Sequence, residues 1–235
     1  MLGCPISVEV LGVPPRLKAA ALTLFAVLMW GCAPIGTRYL VGDAHVGLPA
    51  VPFIALRYGL ASLCFLPILR GALRDWSRED WMRGILCGVI GVTGYNLPNV
   101  LGSRTVSAGM VGLVNAAEPL IIMLILALQR RRMPGGWTIL AGGIGFAGIL
   151  LLVRGGGPAM GDLRGTALVL GAAVCWSVYC VLIPPLLRER GAVQVTAVTI
   201  LAGTVPMLCA GLPGMGPLLA ALTQPQWEIL AALVL

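Results

Sequence analysis

The sequence predicts an all-α polytopic membrane protein, and three observations lead to this fold class. Hydrophobic residues make up 58% of the 235 residues and charged residues 11%, and the mean hydropathy is +0.95. A soluble domain carries about 25% charged residues, so this chain has too little charge to cover a water-exposed surface. Its apolar residues gather in runs of membrane-spanning length, and most Lys and Arg residues lie in the short segments between these runs.

The length of each apolar run predicts one helix. A helix needs about 20 apolar residues to cross the hydrocarbon core, and a helix satisfies its backbone polar groups within the segment. Seven runs meet or nearly meet this length: 17–41, 48–69, 84–102, 106–128, 137–153, 165–187 and 193–212. An eighth run begins at Trp227. Residues 1–15 are read as a short N-terminal tail, since no Lys or Arg precedes their weakly apolar residues as in a signal peptide.

Charge and cysteine usage argue against nucleic-acid and metal partners. The net charge is +7, but the basic residues flank apolar runs as topology signals do, so we expect no nucleic-acid partner. Six of the seven cysteines lie singly inside apolar runs, and the one histidine, His45, lies in a short loop. We therefore predict no metal site and no cofactor.

The positions of the basic residues predict the orientation of the chain. One side of the membrane carries eleven of the 16 basic residues, which are Arg16, Lys18, Arg70, Arg74, Arg78, Arg83, Arg130, Arg131, Arg132, Arg188 and Arg190. The other side carries four, which are Arg38, Arg104, Arg154 and Arg164. The N-terminus is therefore expected in the cytoplasm, with the chain in a bacterial cytoplasmic (inner) membrane.

A weak internal repeat becomes visible when the chain is shifted by 146 residues. Trp30 then falls on Trp176, Leu66-Pro67 on Leu212-Pro213, and Trp81 on Trp227, with no gap. Helix 1 corresponds to helix 6, so five helices make one unit. Because five is odd, the second unit enters the membrane from the opposite side, as in the inverted repeats of many secondary transporters.

The repeat divides the chain into a first five-helix unit, residues 16–154, and a second unit, residues 161–235. The sequence stops eight residues after Trp227, so the second unit is expected to be cut off in its third helix. Two explanations stay open: a fragment of a ten-helix protein, or a shortened one.

Ordered motifs along most of the chain resemble the drug/metabolite transporter superfamily, and specifically the EamA-type family. They are "LMWGCAPIGTRYLV", "PFIALRYGLASLCFLPILR", "NLPNVLGSRTVSAGMVGLVNAAEPLIIMLILAL", "GWTILAGGIGFAGILLLV" and "GDLRGTALVLGAAVCWSVYCVL". The resemblance implies ten helices in two inverted units and the transport of small metabolites or drugs, usually outward. One departure is the end of helix 4, where these transporters often carry an acidic residue and this chain has "QRRRMPGG".

Two charged residues lie inside predicted helices, Arg57 in helix 2 and Glu118 in helix 4. A charge at the centre of a membrane helix costs roughly 2.5–3.5 kcal/mol on insertion scales. Each of these two residues is therefore expected to have a structural or functional role. Their predicted depths differ by only ~5 Å at about 1.5 Å per residue. Two alternatives stay open: an ion pair that locks the bundle, or side chains that face a central cavity and bind substrate or a proton.

Further polar residues cluster near prolines. Pro119 removes the backbone partner of the Asn115 carbonyl, and the Asn115 amide lies near Glu118 on the same helix. In helix 3, "GYNLPN" brings together Tyr95, Asn96 and Asn99 around Pro98. Such interruptions are tolerated where the backbone is buried in protein or lines a cavity. Pro34 in helix 1 is a candidate hinge.

Aromatic and small residues complete the predicted site. The repeat-related Trp30 and Trp176, with Tyr179, are expected to form an aromatic wall for the substrate, with packing as the alternative. Three series of small residues are expected to pack helices closely. They are Gly84, Gly88 and Gly91 in helix 3, Ala108, Gly112 and Ala116 in helix 4, and Ala141, Gly145 and Gly148 in helix 5.

These features favour a secondary active transporter that exports small metabolites or drugs by alternating access. The chain has no ATP-binding motif, so gradients are expected to supply the energy, with coupling to protons through Glu118. An enzyme is not expected, because the only histidine lies in a loop and Asp43 and Asp162 lie at helix ends. A passive channel or a non-transporting membrane partner subunit is the alternative. The expected partners are a small-molecule substrate and the lipid bilayer, and a homodimer is left open.

Overall fold

The computed structural model describes residues 15–131, 135–155 and 163–234, and every regular element in these ranges is helical. The helices are α1 (Pro15–Val41), α2 (Ala50–Asp75), α3 (Arg78–Gly102), α4 (Ala108–Arg130), α5 (Gly136–Gly155), α6 (Leu163–Glu189), α7 (Ala192–Ala221) and α8 (Gln224–Val234). Six of those described, α1 to α4, α6 and α7, are long and apolar enough to cross a membrane. The protein is therefore an all-α polytopic membrane protein, as predicted. The N-terminal tail, residues 1–15, lies outside the described residues except for Pro15.

The predicted runs coincide with the observed helices, with three larger differences in their ends. α2 continues six residues beyond its predicted end, to Asp75. α3 begins at Arg78, ahead of the predicted start, because Ser77 caps it. The Ser77 hydroxyl accepts from the Asp80 amide while the Asp80 carboxylate accepts from the Ser77 amide, which satisfies two helix-end donors. α7 continues beyond the predicted end through a 3₁₀ turn at Leu212–Gly214.

Four of the described helices are interrupted: α3, α4, α6 and also α7, whose break is the 3₁₀ turn at Leu212–Gly214. α4 breaks at Ala116 and Ala117, directly before Glu118 and Pro119, where the Ala117 amide donates to the Val114 carbonyl at 3.0 Å. This confirms the predicted interruption beside Pro119, since proline tolerates the start of a helical segment but not its interior. α6 bends at Ile183 before two prolines.

The interruption in α3 lies earlier than predicted. It is a π-helical turn at Val89–Thr93, whereas Pro98 lies inside the α-helical segment Gly94–Gly102. Pro34 likewise lies inside a continuous α1. π-helical turns inside α-helices are frequent at functional sites.

α3 and α7 pack with their backbones in contact. A Cβ atom added to Gly203 would meet the Gly88 carbonyl oxygen, and one added to Gly88 would meet the Thr199 carbonyl oxygen. The Thr93 hydroxyl donates to the Gly203 carbonyl at 2.5 Å. The predicted close packing of the helix 3 glycines is therefore confirmed, because only a residue without Cβ permits this approach.

Buried apolar residues form clusters at opposite ends of the bundle. One gathers the end of α1 and the start of α2, with Leu40, Val41, Phe53 and Ile54. Another, here called the turn cluster, lies between the α2–α3 and α6–α7 turns. Its members are Ala72, Trp76, Cys87, Ile183, Leu186, Val195 and Val198.

Large apolar side chains cover the outside of the bundle. Leu22 is 70% exposed, Leu128 70%, Trp137 85% and Leu151 71%. A soluble monomer rarely presents apolar surface on this scale, whereas lipid tails solvate it. The exposed side chains thus agree with a protein that lies within a bilayer.

Candidate functional site

A cavity of about 730 Å³ lies inside the bundle, walled by α1, α2, α3, α4, α6 and α7. All nine residues predicted to bind substrate line it. They are Trp30, Arg57, Tyr95, Asn96, Asn99, Asn115, Glu118, Trp176 and Tyr179. The cavity size suits a small molecule, since ligand pockets commonly measure about 300–1,000 Å³.

The interruptions of α3 and α4 place polar side chains on facing walls of this cavity. Tyr95, Asn96 and Asn99 follow the π-helical turn of α3, and Asn115 and Glu118 flank the break in α4. The Asn115 amide nitrogen donates to the Tyr95 hydroxyl at 3.2 Å, which joins the two walls. The Asn96 amide instead donates to the Val92 carbonyl at 2.8 Å within its own helix.

Three buried polar atoms of residues that line the cavity make no hydrogen bond to any residue that the structure describes. They are Asn99 Nδ2, Asn115 Oδ1 and Glu118 Oε1. A buried donor or acceptor without a partner costs about 1–3 kcal/mol, so a protein seldom retains three in one cavity unless something else binds them. The set offers one N–H donor and two acceptor oxygens, one of which belongs to a carboxyl group.

Arg57 and Glu118 both line the cavity, but they do not form a salt bridge in the described part of the chain. The Arg57 Nε donates to the Leu233 carbonyl of α8 at 2.8 Å. Its guanidinium carbon lies 5.7 Å from the centre of the Tyr58 ring. The ion pair that the sequence left open is therefore not formed, and both residues line the cavity.

Aromatic rings form a connected group around Trp176. The Trp176 ring centre lies 5.1 Å from that of Tyr179, 5.2 Å from that of Tyr95 and 5.6 Å from that of Trp30, which meets it edge-on at 78°. Trp30 is 69% exposed and so stands at the rim. The predicted aromatic residues therefore lie together on the cavity wall, with centroid spacings typical of favourable ring pairs.

Several lining residues were not recognised from the sequence, and three that were predicted only to pack helices, Gly91, Ala108 and Gly112, also line the cavity. Gly109, Thr196 and Thr199 also line the cavity. Gly112, predicted to pack against another helix, lines the cavity too, and a Cβ there would meet nothing within 4 Å. The packing prediction for Gly112 is wrong; its spacing of three residues from Asn115, which places both on one helix face, was the available signal.

The third predicted series of small residues, in α5, does not show the expected close packing either. A Cβ at Gly145 or Gly148 would meet nothing within 4 Å. These glycines therefore do not hold α5 against a described neighbour, although their spacing is typical of close helix packing. Spacing alone does not show whether a partner helix is present.

The residues that line the cavity are suited to binding a ligand. It offers a carboxyl group, amides, a guanidinium group and ring faces. Within the described ranges, no group of three or more His, Cys, Asp or Glu side chains is placed to hold a metal ion.

Comparison with known proteins assigns the chain to a family. The model of the EamA-like transporter family matches residues 17–154. The uncharacterized transporter YdfC of Bacillus subtilis (strain 168) is 30% identical over 157 residues, which cover 67% of this chain and 50% of that protein. The uncharacterized transporter YyaM of the same organism is 24% identical over 165 residues, covering 67% and 54%.

A third relative has a named activity. The threonine/homoserine exporter RhtA of Escherichia coli (strain K12) is 31% identical over 135 residues, which cover 57% of this chain and 43% of that protein. The chain thus spans about half the length of the curated relatives that it matches. Because the family match extends over more than half of a helical chain suited to a membrane, the chain belongs to the EamA-like transporter family of the drug/metabolite transporter superfamily.

Proposed function

We propose that this protein is a secondary active transporter that exports a small, ammonium-bearing metabolite or drug across the bacterial inner membrane by alternating access. One observation carries this proposal: a cavity among membrane-spanning helices is lined by Asn115 and Glu118, whose buried oxygens Asn115 Oδ1 and Glu118 Oε1 have no hydrogen-bond partner among the described residues. Family membership supports transport, and the similarity to the threonine/homoserine exporter RhtA supports export of an amino acid.

The distribution of donors and acceptors favours a zwitterionic ligand. A carboxylate and an amide oxygen both accept hydrogen bonds, so they suit the three N–H donors of a primary ammonium group. The ring faces of Trp176 and Tyr95 attract the same positive charge. Asn99 Nδ2 and the Arg57 guanidinium supply donors for a carboxylate or carbonyl elsewhere on the ligand.

The two proposed halves, residues 16–154 and 161–235, share the lining of the cavity. α1 to α4 come from the first half and α6 and α7 from the second. In inverted-repeat transporters the substrate site lies near the midplane between the halves, and this shared lining supports that arrangement here.

Glu118 is the proposed proton carrier, because a proton and a ligand ammonium group would compete for the same carboxylate.

Solute flux measured with the protein expressed from its complete reading frame tests this proposal. Proteoliposomes with an imposed proton gradient are expected to accumulate labelled zwitterionic amino acids but not matched anions. Glu118→Gln is expected to lower the rate by about tenfold or more, because hydrogen bonds to charged groups contribute about 1.5–3 kcal/mol. Glu228→Gln, which changes an exposed carboxylate outside the cavity lining, serves as the matched control.

Two results would contradict the proposal. Equilibration of solutes without accumulation would indicate a passive channel. No flux of any solute class by a correctly folded protein would favour a non-transporting partner subunit.

A further inference from the structure

The turn between α2 and α3 is tied to the turn between α6 and α7 by a largely buried ion pair. Asp80, in the first turn of α3, is 4% exposed. Its carboxylate accepts from Arg190 Nη2 at 2.6 Å and from Arg190 Nε at 3.2 Å. The same oxygen, Oδ2, also accepts from the Ser77 amide and hydroxyl at 2.8 Å.

Other contacts reinforce this junction. The Trp76 indole N–H donates to the Gln194 side-chain oxygen at 3.3 Å, and Arg83 lies 3.9 Å from the Glu189 carboxylate. The turn cluster packs alongside the same two turns. Polar and apolar contacts thus join the two turns at one end of the bundle.

The ion pair at the opposite end of the bundle differs in burial and in what it connects. Asp43 and Arg104 pair at 3.0 Å with side chains 51% and 50% exposed. They join the α1–α2 loop to the α3–α4 loop, and both belong to the proposed first half. Asp80 and Arg190, by contrast, lie in different halves, and their side chains are 5% and 27% exposed.

The cavity lies on the far side of the turn cluster from this ion pair. On α4 the cavity lining begins at Ala108 and Gly109, in the first turn of the helix, and on α1 it reaches Thr37, near the helix end. Toward the α2–α3 and α6–α7 turns, the lining ends at Tyr179 and Thr196, and Tyr179 packs against the turn cluster. The turn cluster and the ion pair therefore separate the cavity from this face.

We propose that Asp80 and Arg190 form a latch that holds the two halves together on this face and opens once in each transport cycle. This inference rests on the proposed alternating-access function, since a cavity that alternates between faces must open here. Breaking the pair would release both charged groups to water at the membrane surface, where they regain hydration. An ion pair between two units that move relative to each other is the kind of contact that such domain movements rearrange.

One-sided thiol labelling of a cysteine in the cavity tests the latch. The reporter is Gly112→Cys, where an added side chain has open space, in a background with the seven native cysteines replaced. An impermeant maleimide is applied to right-side-out and to inside-out membranes of the complete protein. Asp80→Asn and Arg190→Gln are each expected to raise labelling from the latch face by about fivefold or more, the lower end of typical conformational coupling, and to lower it from the opposite face.

Three controls make the result specific. Asp80→Asn keeps an oxygen that accepts from Ser77, and Arg190→Gln leaves the helix cap untouched, so neither change removes the cap. If the two residues act through each other, the double variant should shift labelling no further than either single variant. Arg104→Gln, at the opposite end of the bundle, is expected to leave labelling from the latch face unchanged.

The latch proposal is overturned if folded single variants label as the parent does from the latch face, or if labelling rises equally from both faces. Equal rises would indicate a static brace whose loss loosens the fold. If the parent protein transports solute but the variants label as the parent does, the latch proposal is contradicted and the transport proposal stands. A shift of labelling to the latch face without flux of any solute would support the latch and contradict transport.

Discussion

Glycine serves opposite purposes on two walls of the cavity. A Cβ atom at Gly91 would lie less than 3.0 Å from Tyr179 Cβ, Cγ and Cδ2, near the base of the side chain, where the ring has little freedom to move away. Gly91 therefore lets Tyr179 lie against α3, beside Trp176. At Gly112 a Cβ would meet nothing within 4 Å, so that glycine contributes space in the cavity instead of close packing.

This contrast predicts different effects for the same substitution at the two sites. Gly91→Ala is expected to lower the free energy of unfolding by about 1–3 kcal/mol, because overpacking forces the Tyr179 ring to shift. Gly112→Ala is expected to leave stability unchanged or slightly higher, since alanine has the better helix propensity. Denaturant or thermal unfolding in detergent micelles measures both, and equal losses at the two sites would contradict the prediction.

At the scale of elements, the crossing of α3 and α7 holds the proposed halves together beside the cavity. Gly88 and Gly203 bring the two backbones into contact, and the π-helical turn of α3 follows at once with Thr93 bonded across the interface. Backbone atoms cannot rotate away as side chains do. A larger side chain at this crossing must therefore separate the helices.

Gly203→Val tests the crossing. The added side chain would meet the Gly88 carbonyl oxygen and the Val92 Cβ, so we expect a loss of about 3 kcal/mol or more in unfolding free energy. Gly143→Val on α5 is the matched control, because a Cβ there meets nothing within 4 Å and the change in helix propensity is the same. If the two variants unfold alike, the crossing is not the stabilising contact inferred here.

For the whole molecule, the uneven distribution of basic residues predicts the orientation in the membrane. The α2–α3 turn is flanked by Arg70, Arg74, Arg78 and Arg83, whereas the α1–α2 loop has only Arg38 close by. Short loops rich in Lys and Arg stay in the cytoplasm. The proposed latch is therefore expected to face the cytoplasm, and the cavity to lie toward the outer face.

Single cysteines in the two exposed loops measure this orientation. Ala44→Cys, between α1 and α2, is expected to react with an impermeant maleimide in intact cells. Asp75→Cys, beside the α2–α3 turn, is expected to react only in inside-out membranes; both positions are exposed. The reverse pattern would show that the N-terminus lies outside the cytoplasm.

The sequence by itself determined the helices and nine of the residues that line the cavity. Run length specifies a membrane helix because the bilayer has a set thickness, and the seven predicted runs coincide with helices of the structure. Polar groups are costly in lipid, so those within helices tend to face the interior. The repeat related Trp30 to Trp176, which lies near Tyr179 in the sequence, so these distant aromatic residues were predicted to share one site, and they line one cavity.

Only the tertiary structure decided which groups meet. Similar depths allowed Arg57 and Glu118 to pair, but depth does not specify rotation about the helix axis, and Arg57 bonds the Leu233 carbonyl instead. Their spacing predicted that Gly88 and Gly112 both pack helices closely. Gly88 does lie against the α7 backbone, but Gly112 lines the cavity. Asp80, in the first turn of α3, and Arg190, in the α6–α7 turn, lie 110 residues apart. No local pattern in the sequence relates them, because their contact depends on how the helices pack.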